Sequence, residues 1–148
     1  MNFKDKKIMF VVAHPDDETL GAGATINNLI QNYNSTVHVV ILGEGITSRS
    51  SKRDEVIWKS ELKNHKKNIK AAQKILGYQT LSTYNFPDNR FDSIALFDII
   101  KIIEEEKINF NLDYIFTHHG GDLNIDHQKT FESVITAFRP LKEENLKS

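Results

Sequence analysis

Four short apolar runs, each leading into a polar cluster and a longer amphipathic stretch, constrain this chain more than any other property. The runs are KIMFVVA (7–13), TVHVVILG (36–43), TLSTYNF (80–86) and LDYIFTHH (112–119). Near-continuous apolar character over strand length is what a strand covered on both faces requires. The segments between them carry helical spacing. A helix opens at Asp16 or Asp17 and turns Leu20, Ala24, Leu29 and Ile30 to one side. The spacing predicts a second over 52–76, with Val56, Leu62, Ile69, Ala72 and Ile75 on its apolar side and Gly77 as its stop. A third is expected over 92–107, opened by Asp92 or Ser93, and a last over 126–138, ending before Pro140. Gly21 and Gly23 lower helix propensity, so both are expected to permit close packing. This alternation calls for an α/β fold: a Rossmann-like three-layer sandwich with a mostly parallel sheet and right-handed crossovers.

At 148 residues, the chain is long enough to bury roughly 70% of its unfolded surface around one core. One domain is expected over residues 1–140, with LKEENLKS (141–148) as a polar tail. The formal net charge of −1 argues against a general polyanion binder, and no nucleic-acid partner is expected. The lysines at 59, 63, 66, 67, 70 and 74 read as a solvated helix face. Without cysteine there are neither disulfides nor thiolate metal sites. The opening apolar run is short and ends in charge, which marks a first core strand and neither a signal peptide nor a membrane span. A cytoplasmic location is therefore the expectation, with a homo-oligomer left open.

The polar clusters all come directly after strands, where open α/β sheets hold ligands. No G-x-G-x-x-G and no Walker loop succeeds the first strand, so a nucleotide has no cradle of the usual kind. The first strand runs instead into AHPDDE (13–18). His14 and Asp17 stand three residues apart, which brings their side chains together across one helical turn. As a purely structural feature, Asp16 or Asp17 caps the helix and Glu18 favours its positive end. The fourth strand feeds THHGGDLNIDHQKT (117–130), with three histidines and two aspartates. One of these histidines would complete a site of three protein ligands, the arrangement of catalytic zinc.

AHPDDE after the first strand, paired with the late THHGGDLNIDH, resembles the LmbE-like or PIG-L family of zinc-dependent N-deacetylases. KAAQKILG in the long helix and NFPDNRFD after the third strand fit the same pattern, and the resemblance runs from residue 7 to Arg139 and Pro140. It implies removal of an acetyl group from an N-acetylglucosamine-type sugar or conjugate. It also implies zinc on His14, Asp17 and His127, with Fe2+ or another divalent ion acceptable in its place, and Asp16 as general base. Asp126 is placed to hydrogen-bond a ligand histidine, either His127 or a neighbour. Two positions depart from the family pattern. Asn124 stands where relatives often carry a histidine that polarises the carbonyl, so His118 or His119 would share that role. Relatives also continue beyond the fourth helix, so the expectation for a chain ending at Ser148 is a truncated form, a minimal member or a fragment that needs a partner.

Arg49, Arg53 and Arg139 are candidates for contact with substrate hydroxyls or phosphates, and Asp88 either hydrogen-bonds a sugar or holds its turn. His38 and His65 are expected to have no catalytic role, and Trp58 and the phenylalanines belong to the core. Two competing readings remain: a metal-containing sugar-binding or assembly module without turnover, and a non-haem iron enzyme, which uses the same two-histidine, one-carboxylate set.

Overall fold

The computed structural model describes residues 2–49, 53–54 and 56–140. Strands β1 (Lys7–Val12), β2 (Thr36–Gly43), β3 (Thr80–Phe86) and β4 (Tyr114–Phe116) alternate with helices α1 (Asp17–Tyr33), α2 (Lys59–Leu76), α3 (Leu96–Phe110) and α4 (Ile125–Ala137). The strands pair in parallel in the order β3-β2-β1-β4. From β1 the chain therefore steps outward through β2 to β3, then crosses to the other side of β1 for β4. Strand order reverses between β1 and β4, and ligands of such sheets lie beyond the carboxyl ends of that pair.

The alternation of side chains along β1 explains its unbroken apolar run. Ile8, Phe10 and Val12 join Ile26 and Leu29 of α1 and Ile69 of α2 on one face. Met9, Val11 and Ala13 join Ile99 and Ile103 of α3 and Val134 and Ala137 of α4 on the other. With helices on both faces, β1 has no solvent side to mark with polar residues. The outer strand β3 is only half-buried, and its sequence mixes Thr, Ser and Asn with apolar residues accordingly.

Several element boundaries depart from the sequence expectation. α2 begins at Lys59, because the Asp54 carboxylate accepts the N–H groups of Val56 and Ile57 and ties that segment into a turn. Val56 is consequently exposed rather than on an apolar helix face, and Ile75 is exposed while Leu76 packs inward. Phe91–Ser93 form a separate turn of 3-10 helix that drives Phe91 into the core, so α3 starts only at Leu96. β4 is shorter than expected, because past it the Ala13 N–H is taken by the His118 ring rather than by a backbone carbonyl. Gly23 packs closely as expected, since a Cβ there would come within 3.4 Å of Leu76, but Gly21 faces open space. The expected tail at 141–148 lies outside the described residues.

Candidate metal centre

The site starts where β1 runs out. Asp16, at the N-cap position of α1, has φ 139° and ψ −25°, a conformation that is strained for any residue with a side chain. Its carboxylate makes no capping hydrogen bond. Glu18 is folded back instead, fully buried, accepting the Asp16 N–H at 3.1 Å and the Thr19 hydroxyl at 2.8 Å. Asp17 turns toward His14, whose backbone N–H donates to Asp17 Oδ2 at 2.7 Å. The adjacent acids of AHPDDE thus do different things: Glu18 ties the backbone together, Asp17 faces inward, and Asp16 stays exposed at the mouth. The loop after β2 closes over this turn. Gly45 has φ 74°, and a Cβ on it would come within 2.6 Å of Pro15.

The loop between β4 and α4 supplies the other half. Asn124 caps α4, its Oδ1 accepting the N–H of Asp126 at 2.8 Å, and its amide NH2 donates to Asn89. The capped turn sends His127 toward Asp17, with Nε2 at 3.4 Å from Oδ1. Potential ligand atoms of His14, Asp17 and His127 all lie within 4.8 Å of one another. The far nitrogens of both imidazoles are held by carboxylates. His14 Nε2 is 2.8 Å from Asp126 Oδ2, and His127 Nδ1 is 3.0 Å from Asp122 Oδ2. Asp126 is itself fixed by the N–H groups of Asn89 and Phe91, at 2.6 and 2.9 Å. With those far nitrogens donating, His14 Nδ1 and His127 Nε2 are the ring atoms that face Asp17 and would offer lone pairs to a cation once deprotonated, and this is how carboxylates commonly orient metal-binding histidines. The donor set of two imidazole nitrogens and one carboxylate fits a zinc-like divalent ion.

Crowded acids dominate the electrostatics. Burial disfavours a charged His14, yet its hydrogen bond to Asp126 and the nearby Asp17 carboxylate outweigh that and push it up to about 10. Burial likewise opposes the charge on Asp17, but contacts with His118 and His14 hold its carboxyl well below the usual range. Asp16 moves the other way: partial burial and the neighbouring Asp17 charge raise it. A proton on His14 answers the surplus of negative charge here, and a bound cation would do the same.

The remaining sequence candidates divide clearly. His118 joins the cluster, stacked on His127 with ring centroids 3.8 Å apart and Nε2 at 3.4 Å from Asp17. His119 is exposed, and its Nδ1 accepts the Gly121 N–H. Asp88 is buried, with Oδ1 at 3.4 Å from His14 Nε2 and Oδ2 taking the N–H and hydroxyl of Ser48, so it holds its loop rather than facing solvent. Arg49, next to Ser48, is exposed on the rim. Arg53 grips buried Glu44 through Nε and Nη2 at 2.9 and 3.0 Å, which makes it a brace within the loop after β2. Arg139 is not brought to the site. It lies at the far end of α4, about 20 Å away by helix rise, and bonds Glu104 and the Thr136 carbonyl. Asp122 is a site residue that sequence reasoning missed. Its place five positions before His127, in a loop already rich in ligands, was the available signal.

Residues 9–138 match the family described as GlcNAc-PI de-N-acetylase, PIG-L. Over 145 residues the chain is 28% identical to the uncharacterized deacetylase YaiS of Escherichia coli K12, covering 95% of this chain and 72% of that protein. It superimposes on N,N'-diacetylchitobiose deacetylase from Pyrococcus horikoshii with a TM-score of 0.68 and 19% identity, over 96% of this chain and 54% of that one. It superimposes comparably on GalB, the 4-carboxy-2-hydroxymuconate hydratase of Pseudomonas putida KT2440, with a TM-score of 0.67 and 23% identity, over 89% and 55%. The chain thus spans a little over half the length of these two solved relatives. A fold shared by a deacetylase and a hydratase does not itself set the reaction.

Proposed function

This chain belongs to the PIG-L family, and on that premise we propose that it is a zinc-dependent hydrolase removing the N-acetyl group from an N-acetylglucosamine-type sugar or conjugate. The observation that carries the reading is Asp16. Beside a set of three ligands stands a carboxylate that is exposed, free of capping duty and held in a strained backbone conformation.

His14, Asp17 and His127 would hold the ion. When bound, a divalent cation supplies Lewis acidity, polarising an amide carbonyl and acidifying water to a pKa of about 7. Asp126 and Asp122 keep the two imidazoles in the tautomers that leave a lone pair for the ion. Asp16, raised above the ordinary carboxylate value, takes the proton of the attacking water and returns it to the departing amine. His118, stacked against His127, is the histidine at hand for the developing oxyanion, through Nδ1, because its Nε2 accepts the Ala13 N–H. Asn124 is occupied at both ends by the α4 cap and Asn89, so the role that the sequence pattern divides among Asn124, His118 and His119 is given to His118.

Acetate release from a panel of N-acetylglucosamine derivatives by zinc-loaded protein tests the reading directly. Turnover of at least one derivative is expected, with Asp16→Asn inactive but still zinc-bound. Full activity of Asp16→Asn would remove the general-base assignment. Sugar binding without any acetate release would select the non-catalytic module instead, and oxygen uptake by iron-loaded protein would select the oxygenase.

A further inference from the structure

The overall charge of −1 conceals an asymmetry. α2 carries six lysines and one glutamate, whereas α1 has two acids and no base, and α3 has four acids against two lysines. At 3.6 residues per turn, Lys59, Lys63, Lys66, Lys67, Lys70 and Lys74 fall within a stripe about 100° wide and about 22 Å long. All six are exposed. Among the described residues none of them is in an ion pair, whereas Lys6, Lys101 and Lys129 all are. Exposed apolar side chains precede the stripe, Val56 and Ile57 at 84% and 71%, whereas Ile75, also exposed, lies about 130° around the helix from its centre.

We propose that the outer face of α2 is a peripheral docking surface for an anionic lipid bilayer. A helix face that is merely solvated intersperses acids with its lysines. Here Lys59 and Lys63, Lys63 and Lys67, Lys66 and Lys70, and Lys70 and Lys74 are like charges at i,i+4, an arrangement that weakens a helix until something negative lies across it. The inner side, with Ile69 and Leu76, is fixed to the sheet, so the stripe is presented rigidly outward. Apolar Val56 and Ile57 just before the stripe suit insertion below lipid headgroups, while its lysines suit their phosphates. A nucleic-acid face would interleave arginine or aromatic residues, and α2 contains neither. No helix among the described residues is long and apolar enough to cross a membrane, so this surface lies on the bilayer.

Co-sedimentation with phosphatidylcholine vesicles, with and without phosphatidylglycerol, tests this. Binding is expected only to the anionic vesicles and should weaken as salt rises. The triple change Lys63→Glu, Lys67→Glu, Lys70→Glu should reduce it by at least about tenfold. The charge-matched triple Lys4→Glu, Lys6→Glu, Lys129→Glu should leave it within about twofold of the unaltered protein. Val56→Ser with Ile57→Ser should weaken vesicle binding while leaving any binding to a single-stranded oligonucleotide unchanged. Circular dichroism on each variant verifies folding. Absence of binding to anionic vesicles, equal losses in the two triples, or oligonucleotide binding as tight as vesicle binding with no effect at Val56 and Ile57 would each overturn the proposal. Vesicle binding is read without turnover, so it stands or falls separately from the deacetylase reading.

Discussion

Two regions of this molecule pair a buried histidine with a carboxylate, and only one of them looks like a place for chemistry. In the middle of the sheet, His38 on β2 reaches Thr80 Oγ1 at 2.8 Å through Nδ1 and Glu106 Oε2 at 3.0 Å through Nε2. The other oxygen of Glu106 accepts the Tyr84 hydroxyl at 2.6 Å, and Phe110 covers the ring. Both ring nitrogens and both carboxylate oxygens have partners, and the network clasps α3 to the sheet. At the strand ends, His14 is likewise bonded to a buried acid, Asp126, but its Nδ1 lies 3.6 Å from Asp17, beyond a good hydrogen bond. His127 repeats the pattern. A histidine–acid pair is therefore no mark of function by itself. What distinguishes the site is ligand atoms left over after the pairing, all converging on one small space.

The comparison can be broken most severely at Asp16. Its exchange for Asn should lower turnover roughly a thousandfold, with metal content unchanged, whereas no substitution in the His38 network should alter the chemical step. Next, Glu106→Ala should lower the unfolding free energy by about 3 kcal/mol, seen as a lower midpoint in urea, while zinc affinity stays as it was. Asp126→Asn should show the reverse emphasis. Zinc affinity measured by chelator competition should weaken about thirtyfold, and Asp122→Asn, at the exposed end of the other pair, about tenfold. An equal loss of zinc affinity in Glu106→Ala would erase the distinction between the regions.

A smaller effect sharpens it through pH. Burial opposes the charge on Glu106, but hydrogen bonds from His38 and Tyr84 outweigh it and bring the group from 4.5 down to about 2. Its folded value lies below its unfolded one, so the unfolded state takes up protons first as pH falls. The stabilisation from Glu106 is complete above 4.5 and disappears progressively as pH drops through about 2. Denaturant midpoints measured across that window should fall less steeply in Glu106→Gln than in the unaltered chain.

Legibility from sequence divides in the same way, between local and distant causes. β1 and β2 are plain because a strand covered on both faces must be apolar throughout, and the parallel sheet comes with the alternation. The pairing of His14 with Asp17 is legible because both belong to one short motif at the end of β1, whereas His127 is singled out from its two neighbouring histidines by the family resemblance alone. Helix starts are less so: Asp92 and Ser93 resemble a cap, but Phe91 must first be turned into the core, and that demand comes from β1 and α4. Which acid holds which histidine is also hidden, because His14 and Asp126 meet across 112 residues. Arg139 could be set aside from the sequence alone, since a helix running from His127 to residue 138 carries it far from the site.

Titration of metal-stripped protein with zinc tests the central claim most directly. One ion per chain should bind both the unaltered protein and Asp16→Asn with similar affinity, while His127→Ala binds at least about a hundredfold more weakly. Zinc retained at full affinity by His127→Ala but lost from Asp16→Asn would contradict the account, because Asp16 would then be a ligand and His127 would not.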